Sequence, residues 1–177
     1  MEELSPVLTA LYNGHRDEAE RLAGELDVLE AAALGRLDVL RTQLEGDPEA
    51  LAARTPDGFT PLHLAAYFGG GAAVRLLLAA GAPPDAGADN RLHVQPLHSA
   101  TSAGDHDAVR ALLDAGADPN LRQEGGYTPL LQAAHADDPE LTRMLLDHGA
   151  DPALAADDGR DPLAMAGERV RPLLAAG

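Results

Sequence analysis

Two short phrases recur along the 177-residue chain, locked to one period. The first, Thr60-Pro61-Leu62-His63-Leu64-Ala65-Ala66, returns as Gln95-Pro96-Leu97-His98-Ser99-Ala100-Thr101, as Thr128-Pro129-Leu130-Leu131-Gln132-Ala133-Ala134 and as Asp161-Pro162-Leu163-Ala164-Met165-Ala166, at spacings of 35, 33 and 33 residues. The second, Leu77-Leu78-Ala79-Ala80-Gly81-Ala82-Pro83, returns as Leu112-Leu113-Asp114-Ala115-Gly116-Ala117-Asp118-Pro119 and as Leu145-Leu146-Asp147-His148-Gly149-Ala150-Asp151-Pro152. Self-similarity at this period belongs to chains assembled from stacked copies of one supersecondary unit, none of which buries its apolar face alone.

Each phrase has a local mechanism. Thr ahead of Pro and an apolar run is a helix start: the hydroxyl takes up free backbone N–H groups, and Pro fits the first helical position, where its missing N–H is not needed. Gly after Leu-Leu-x-x is a helix stop, because it enters the left-handed conformation that closes the last turn. Asp105 and Asp138-Pro139 supply a second start between the two. Each period therefore reads as two short antiparallel helices followed by an Asp-, Pro- and Gly-rich loop. Hydrophobic residues make up 45% of the chain and aromatics only 3%, so Ala, Leu and Val must build the core, as in closely stacked helices.

The run Gly58-Phe59-Thr60-Pro61-Leu62-His63-Leu64-Ala65-Ala66, closed by Gly81-Ala82, resembles the signature of the ankyrin repeat family. The resemblance implies an all-α fold, an ankyrin-type solenoid of stacked helix-turn-helix repeats with loop or β-hairpin-like fingers. In this register residues 1–177 form a single ankyrin repeat domain. Residues 1–24, around Asn13-Gly14, make a degenerate N-terminal helical pair, and 25–56 a diverged repeat in which Ala31-Ala32 and Gly35 match Ala65-Ala66 and Gly69. Residues 57–89, 90–122 and 123–156 are clear repeats, and 157–177 a shortened C-terminal capping repeat. A terminal unit turns one face to water, which suits Glu2, Glu3, Asp17, Glu18 and Glu20.

The pattern breaks once. The join between the Thr60 and Gln95 units carries two extra residues within Asp85 to Gln95, His93 stands where other units have Gly58, Gly126 and Gly159, and Gln95 replaces Thr. Without the glycine this loop is expected to differ in shape from its neighbours, whether as drift or as a partner contact.

Charge narrows the partners. Thirteen basic against 29 acidic residues give −16, and the chain has neither Lys nor Ile, a bias of GC-rich codon usage that points to a bacterial source. A phosphate backbone would be repelled, which argues against nucleic acid. The N-terminal stretch lacks the basic start and apolar run of a secretory signal, and no segment approaches the ~18 apolar residues of a membrane span, so no membrane role and a cytoplasmic location are expected.

No cofactor, metal or catalytic residue is assigned. The absence of Cys excludes thiolate chemistry, and no nucleophile elbow, Walker-type loop or dinucleotide fingerprint is present. Gly69-Gly70-Gly71 reads as a loop between helices. His93, His98 and Asp89 lack a tight ligand spacing, and the resemblance implies for His98, as for His63, a structural ring that hydrogen-bonds within and between repeats.

The resemblance also implies a binding surface: the concave face made by the loop tips and the first helix of each pair. In this register the exposed positions are Phe59, Tyr67 and Phe68, with Pro56 and Asp57, in the first clear unit. Arg91, Leu92 and Val94 follow in the second, then Glu124, Tyr127 and His135 in the third. The chain has five aromatic residues, Tyr12, Phe59, Tyr67, Phe68 and Tyr127, and four of them fall on this face. Aromatics and Arg dominate binding hot spots. Phe59 and Tyr127 read equally well as packing residues, and Phe68 can turn inward. The expected function is a non-catalytic, monomeric protein–protein interaction module for an unidentified protein with a basic and partly apolar surface. The alternatives are a small-ligand protein or enzyme using His135, His98 and nearby carboxylates in the groove, and a self-assembling structural spacer.

Overall fold

The computed structural model describes residues 3–175, so Glu2 lies outside the described residues. In chain order the helices are α1 (Pro6–Tyr12), α2 (Arg16–Leu22), α3 (Val28–Leu34), α4 (Leu37–Gly46), α5 (Pro61–Leu64), α6 (Gly71–Ala79), α7 (Pro96–Ala103), α8 (His106–Asp114), α9 (Pro129–His135), α10 (Pro139–Asp147), α11 (Pro162–Met165) and α12 (Arg171–Leu174). A π turn, Ala65–Gly69, continues α5. Among the described residues there is no β-strand.

Two layers result. Helices α3, α5, α7, α9 and α11 pack each on the next, α4, α6, α8, α10 and α12 do the same behind them, and α1 joins the first layer against α3. Leu40, Leu62, Leu77, Leu97, Leu112, Leu130 and Leu145 are fully buried, each contributing roughly 1.5–3 kcal/mol by leaving water. Buried alanines at 31–33, 65, 66, 100, 133 and 134 line the same core and let neighbouring helices approach closely.

The start and stop signals work as chemistry requires. Thr60, Thr128 and Asp161 accept from the backbone N–H three residues on, as do Asp105 and Asp138 at the second helices. Gly81, Gly116 and Gly149 take φ of 98°, 88° and 88° just past the second helices. The glycine run has a packing reason as well: a Cβ on Gly69 would lie 2.0 Å from the Ala32 carbonyl oxygen, and one on Gly71 would lie 2.7 Å from Asp107 Cβ. The two glycines let the units on either side come close.

Between the helix pairs the chain forms fingers, each closed by one backbone bond: Thr55 to Phe59, Gln123 to Tyr127 and Ala156 to Arg160, all at 2.9 Å. In the remaining finger the bond runs from Ala88 to Val94 at 2.8 Å, six residues apart rather than four, which places the two extra residues between them. Neighbouring fingers are linked by Asp89 N–H to Gly58 O, Glu124 N–H to Leu92 O and Asp157 N–H to Gly125 O. The finger differs in shape from its neighbours as expected, through its greater length. His93 keeps the left-handed conformation, φ 50°, that Gly58, Gly126 and Gly159 adopt without a Cβ. Asn90 braces the longer loop, its Nδ2 donating to Asp57 O at 2.7 Å and its Oδ1 accepting from Leu92 N–H at 2.9 Å.

Candidate protein-binding face

Buried histidines fix the fingers against the first-layer helices. His63 Nε2–H donates to Val94 O at 2.8 Å, while Nδ1 accepts from the Thr60 N–H at 3.2 Å and the Thr60 hydroxyl at 2.8 Å. Burial pushes its pKa down to about 4, against the Val94 bond, so the ring is neutral near pH 7. His98 Nε2–H likewise donates to Tyr127 O at 3.1 Å, and burial again gives about 4. The counterpart of the Thr60 bond to the histidine Nδ1 is missing here. Gln95 offers no hydroxyl, and both His98 Nδ1 and Gln95 Oε1 are buried without a partner.

Four aromatic side chains meet in one hollow. Tyr12, Phe59, Tyr67 and Phe68, with His63, Leu64 and Ser99, line a cavity of about 220 Å³. The Tyr12 and Phe68 ring centres lie 5.5 Å apart at 54°, those of Tyr67 and Phe68 4.7 Å apart at 71°, and those of Phe59 and His63 5.5 Å apart. The π turn carries both Tyr67 and Phe68 into it, closed by the Gly70 N–H to Ala65 O bond at 2.9 Å. Burial first, and then the Asp57 carboxylate, hold the Tyr12 phenol above its ordinary pKa.

The exposure expected of the whole set holds for part of it. Tyr67 is 49% exposed, and Arg91, Leu92, Glu124 and His135 are exposed too. Phe59, Phe68, Val94 and Tyr127 are half-buried instead. The Phe59 N–H is bound by Thr55 Oγ1 at 2.9 Å and its ring packs on the core, and Phe68 packs there between Tyr12 and Tyr67. Val94 and Tyr127 are drawn in by the histidine bonds to their carbonyls.

Tyr127 and His135 belong to a second hollow of about 410 Å³, with Thr101, Ser102, Gln123, Gln132, Ala136 and Met165. The Tyr127 hydroxyl accepts from Arg160 at 2.9 Å, and Gln132 Nε2 donates to Ser102 at 3.1 Å. Arg91, Leu92 and Glu124 line neither hollow; Arg91 and Glu124 pair at 3.9 Å between adjacent fingers.

The family described as "Ankyrin repeats (3 copies)" matches residues 28–123, and that described as "Ankyrin repeats (many copies)" matches residues 112–166. This chain belongs to the ankyrin repeat family. No curated protein matches it.

Within the ankyrin array, sequence reasoning missed Tyr12, although the signal was there. Ser5-Pro6 opens α1 as Thr60-Pro61 opens α5, with the Ser5 hydroxyl accepting from Leu8 N–H at 3.2 Å. Tyr12 then sits seven residues after its cap, as Tyr67 does, and Gly14 takes φ 77° nine after it. The second-layer helices of the ankyrin units carry a different cluster: His106 meets Asp138 at 2.8 Å and Glu140 at 3.2 Å, and the Asp138 bond holds the imidazole above its ordinary pKa. Among the described residues no three His, Asp or Glu side chains gather as a metal site, and no helix is long and apolar enough to cross a membrane.

Proposed function

We propose that this ankyrin repeat chain is a non-catalytic, monomeric adaptor in the cytoplasm that binds one protein along the face made by its fingers and first-layer helices. Residues 1–177 act as one domain, with unit boundaries near 25, 57, 90, 123 and 157. The observation that carries the reading is the convergence of Tyr12, Phe59, Tyr67 and Phe68, four of the five aromatic residues in the chain, on one solvent-accessible hollow. Aromatic side chains bring large contact area at low conformational cost, and a stiff stacked scaffold presents them preformed. Tyr127 and His135 continue the contact along the second hollow, with Arg91, Leu92 and Glu124 at the fingertips between them. The net charge of −16 favours a partner with basic as well as apolar surface and steers its approach.

The reading is tested by placing a photo-crosslinking residue at position 67, and in a second protein at position 143 on α10, in the source cells. A discrete crosslinked protein at position 67 and none at 143 is expected. Equal products at both positions, or products at 143 alone, would overturn the assignment of the face.

A further inference from the structure

The aromatic hollow has two properties that a plain apolar contact site does not need. Four of its seven lining residues are aromatic, and among the described residues no Arg lines it. Tyr12 and Tyr67 are inclined at 54° and 71° to Phe68, so the three rings are not stacked flat on one another. Arg16, whose guanidinium donates to the carbonyls of Phe68 and Leu34, is not among the lining residues. His63 does line it, and burial leaves that ring uncharged near pH 7. Asp57 stands by the Tyr12 phenol, with its buried Oδ1 bound by nothing in the protein.

We propose that the hollow receives an organic cation, the guanidinium or methylated ammonium end of an arginine or methylated lysine side chain on the protein partner. A cation over an aromatic face within about 6 Å is attracted by the ring quadrupole, and the attraction strengthens as water is excluded. Guanidinium and methylated ammonium groups are weakly hydrated and leave water at low cost, whereas the compact ammonium of unmodified lysine is held strongly by its hydration shell. The buried carboxylate oxygen of Asp57 adds negative potential at the Tyr12 end, within a chain whose overall charge already draws cations. The side-chain source of the cation rests on the proposed protein-binding role; the cation selectivity of the hollow does not.

The test uses the full chain and five small probes at constant ionic strength, followed through the ring resonances of Tyr12 and Tyr67 by NMR. Tetramethylammonium is expected to shift both saturably and to bind at least about tenfold more tightly than neopentyl alcohol, its neutral counterpart of similar shape. Tyr67→Leu should weaken the cation about tenfold and Asp57→Asn about threefold, with circular dichroism and melting showing both variants folded. Equal or tighter binding of the alcohol, or cation shifts unchanged in Tyr67→Leu, would overturn the proposal. The capped amino acids N-acetyl-arginine methylamide and N-acetyl-trimethyllysine methylamide are then set against choline. Binding of either at least as tight as choline is expected, and choline binding more than tenfold tighter than both would overturn the side-chain assignment. No partner is needed here, so failure leaves the crosslinking result standing, and failed crosslinking leaves this result standing.

Discussion

Gln95 and His98 stand three residues apart at the head of α7, and the Oε1 of one and the Nδ1 of the other are both buried without a partner. Thirty-five residues earlier Thr60 and His63 satisfy each other in a closed capping box. A capping box is completed by one hydroxyl, so Gln95→Thr is expected to stabilise the chain by about 1 kcal/mol, and Thr60→Ala to destabilise it by about 1–2 kcal/mol. Urea denaturation of both variants checks this. Loss of stability in Gln95→Thr would mean that Gln95 makes an unrecognised contribution.

Among the described residues His93 and Asp137 are the two non-glycine residues with positive φ, at 50° and 52°, and they should respond oppositely to glycine. His93 is exposed at a fingertip, so His93→Gly relieves the backbone conformation and is expected to raise stability by up to about 1 kcal/mol. The Asp137 carboxylate instead accepts from the backbone N–H groups of Arg169 and Val170 and pairs with the Arg169 side chain at 3.2 Å. Asp137→Gly is expected to loosen the C-terminal α12, with faster amide exchange at Val170 to Leu174.

Gly69→Ala is expected to destabilise by about 1–3 kcal/mol, because its Cβ would meet the Ala32 carbonyl across two adjacent units. Gly81→Ala meets open space, and its cost comes only from φ 98°. Thermal melts of the two variants separate crowding from backbone strain.

Acid should weaken the fold through His63 and His98. Their folded pKa values are depressed to about 4 from 6.5, so their contribution is fully present above pH 6.5. Below that the unfolded chain takes up protons that the folded chain refuses, and stability falls by about 1.4 kcal/mol per pH unit for each ring until pH approaches 4. His106 has the opposite sign: its pKa is raised, so its smaller, partly solvated contribution is present below pH 6.5 and lost as pH rises through its folded value. Urea midpoints between pH 4.5 and 6.5 should show a slope reduced by about half in His98→Gln, whatever that variant's stability at pH 7.

The repeating phrases made the helices, their caps and the stacking legible in sequence, because each phrase encodes a local bond: Thr60 to the His63 N–H, Asp105 to the Ala108 N–H. What they did not encode is how deep each side chain settles. Phe59 and Tyr67 both fall on the binding face by register, yet the first is half-buried and the second exposed, since the Thr55 bond draws in only the first. His93 was read as a lost turn because the φ preference of its residue type favours another shape, and finger-to-finger hydrogen bonding overrode that preference. Tyr12 was missed because the first unit keeps the hydroxyl-Pro start at Ser5-Pro6 but has Val7-Leu8-Thr9 where the phrase has Leu62-His63-Leu64.

The central claim, that the aromatic face holds a protein partner, is tested most directly by quantitative capture from a lysate of the source cells. Three baits are compared at matched folding and melting: the natural chain, a Tyr67→Ala, Tyr127→Ala variant, and an Arg110→Ala, Arg143→Ala variant of the second-layer helices. The account predicts one discrete protein retained by the first and third baits and reduced at least about tenfold on the second. Equal retention by all three, or loss only from the arginine variant, would contradict it.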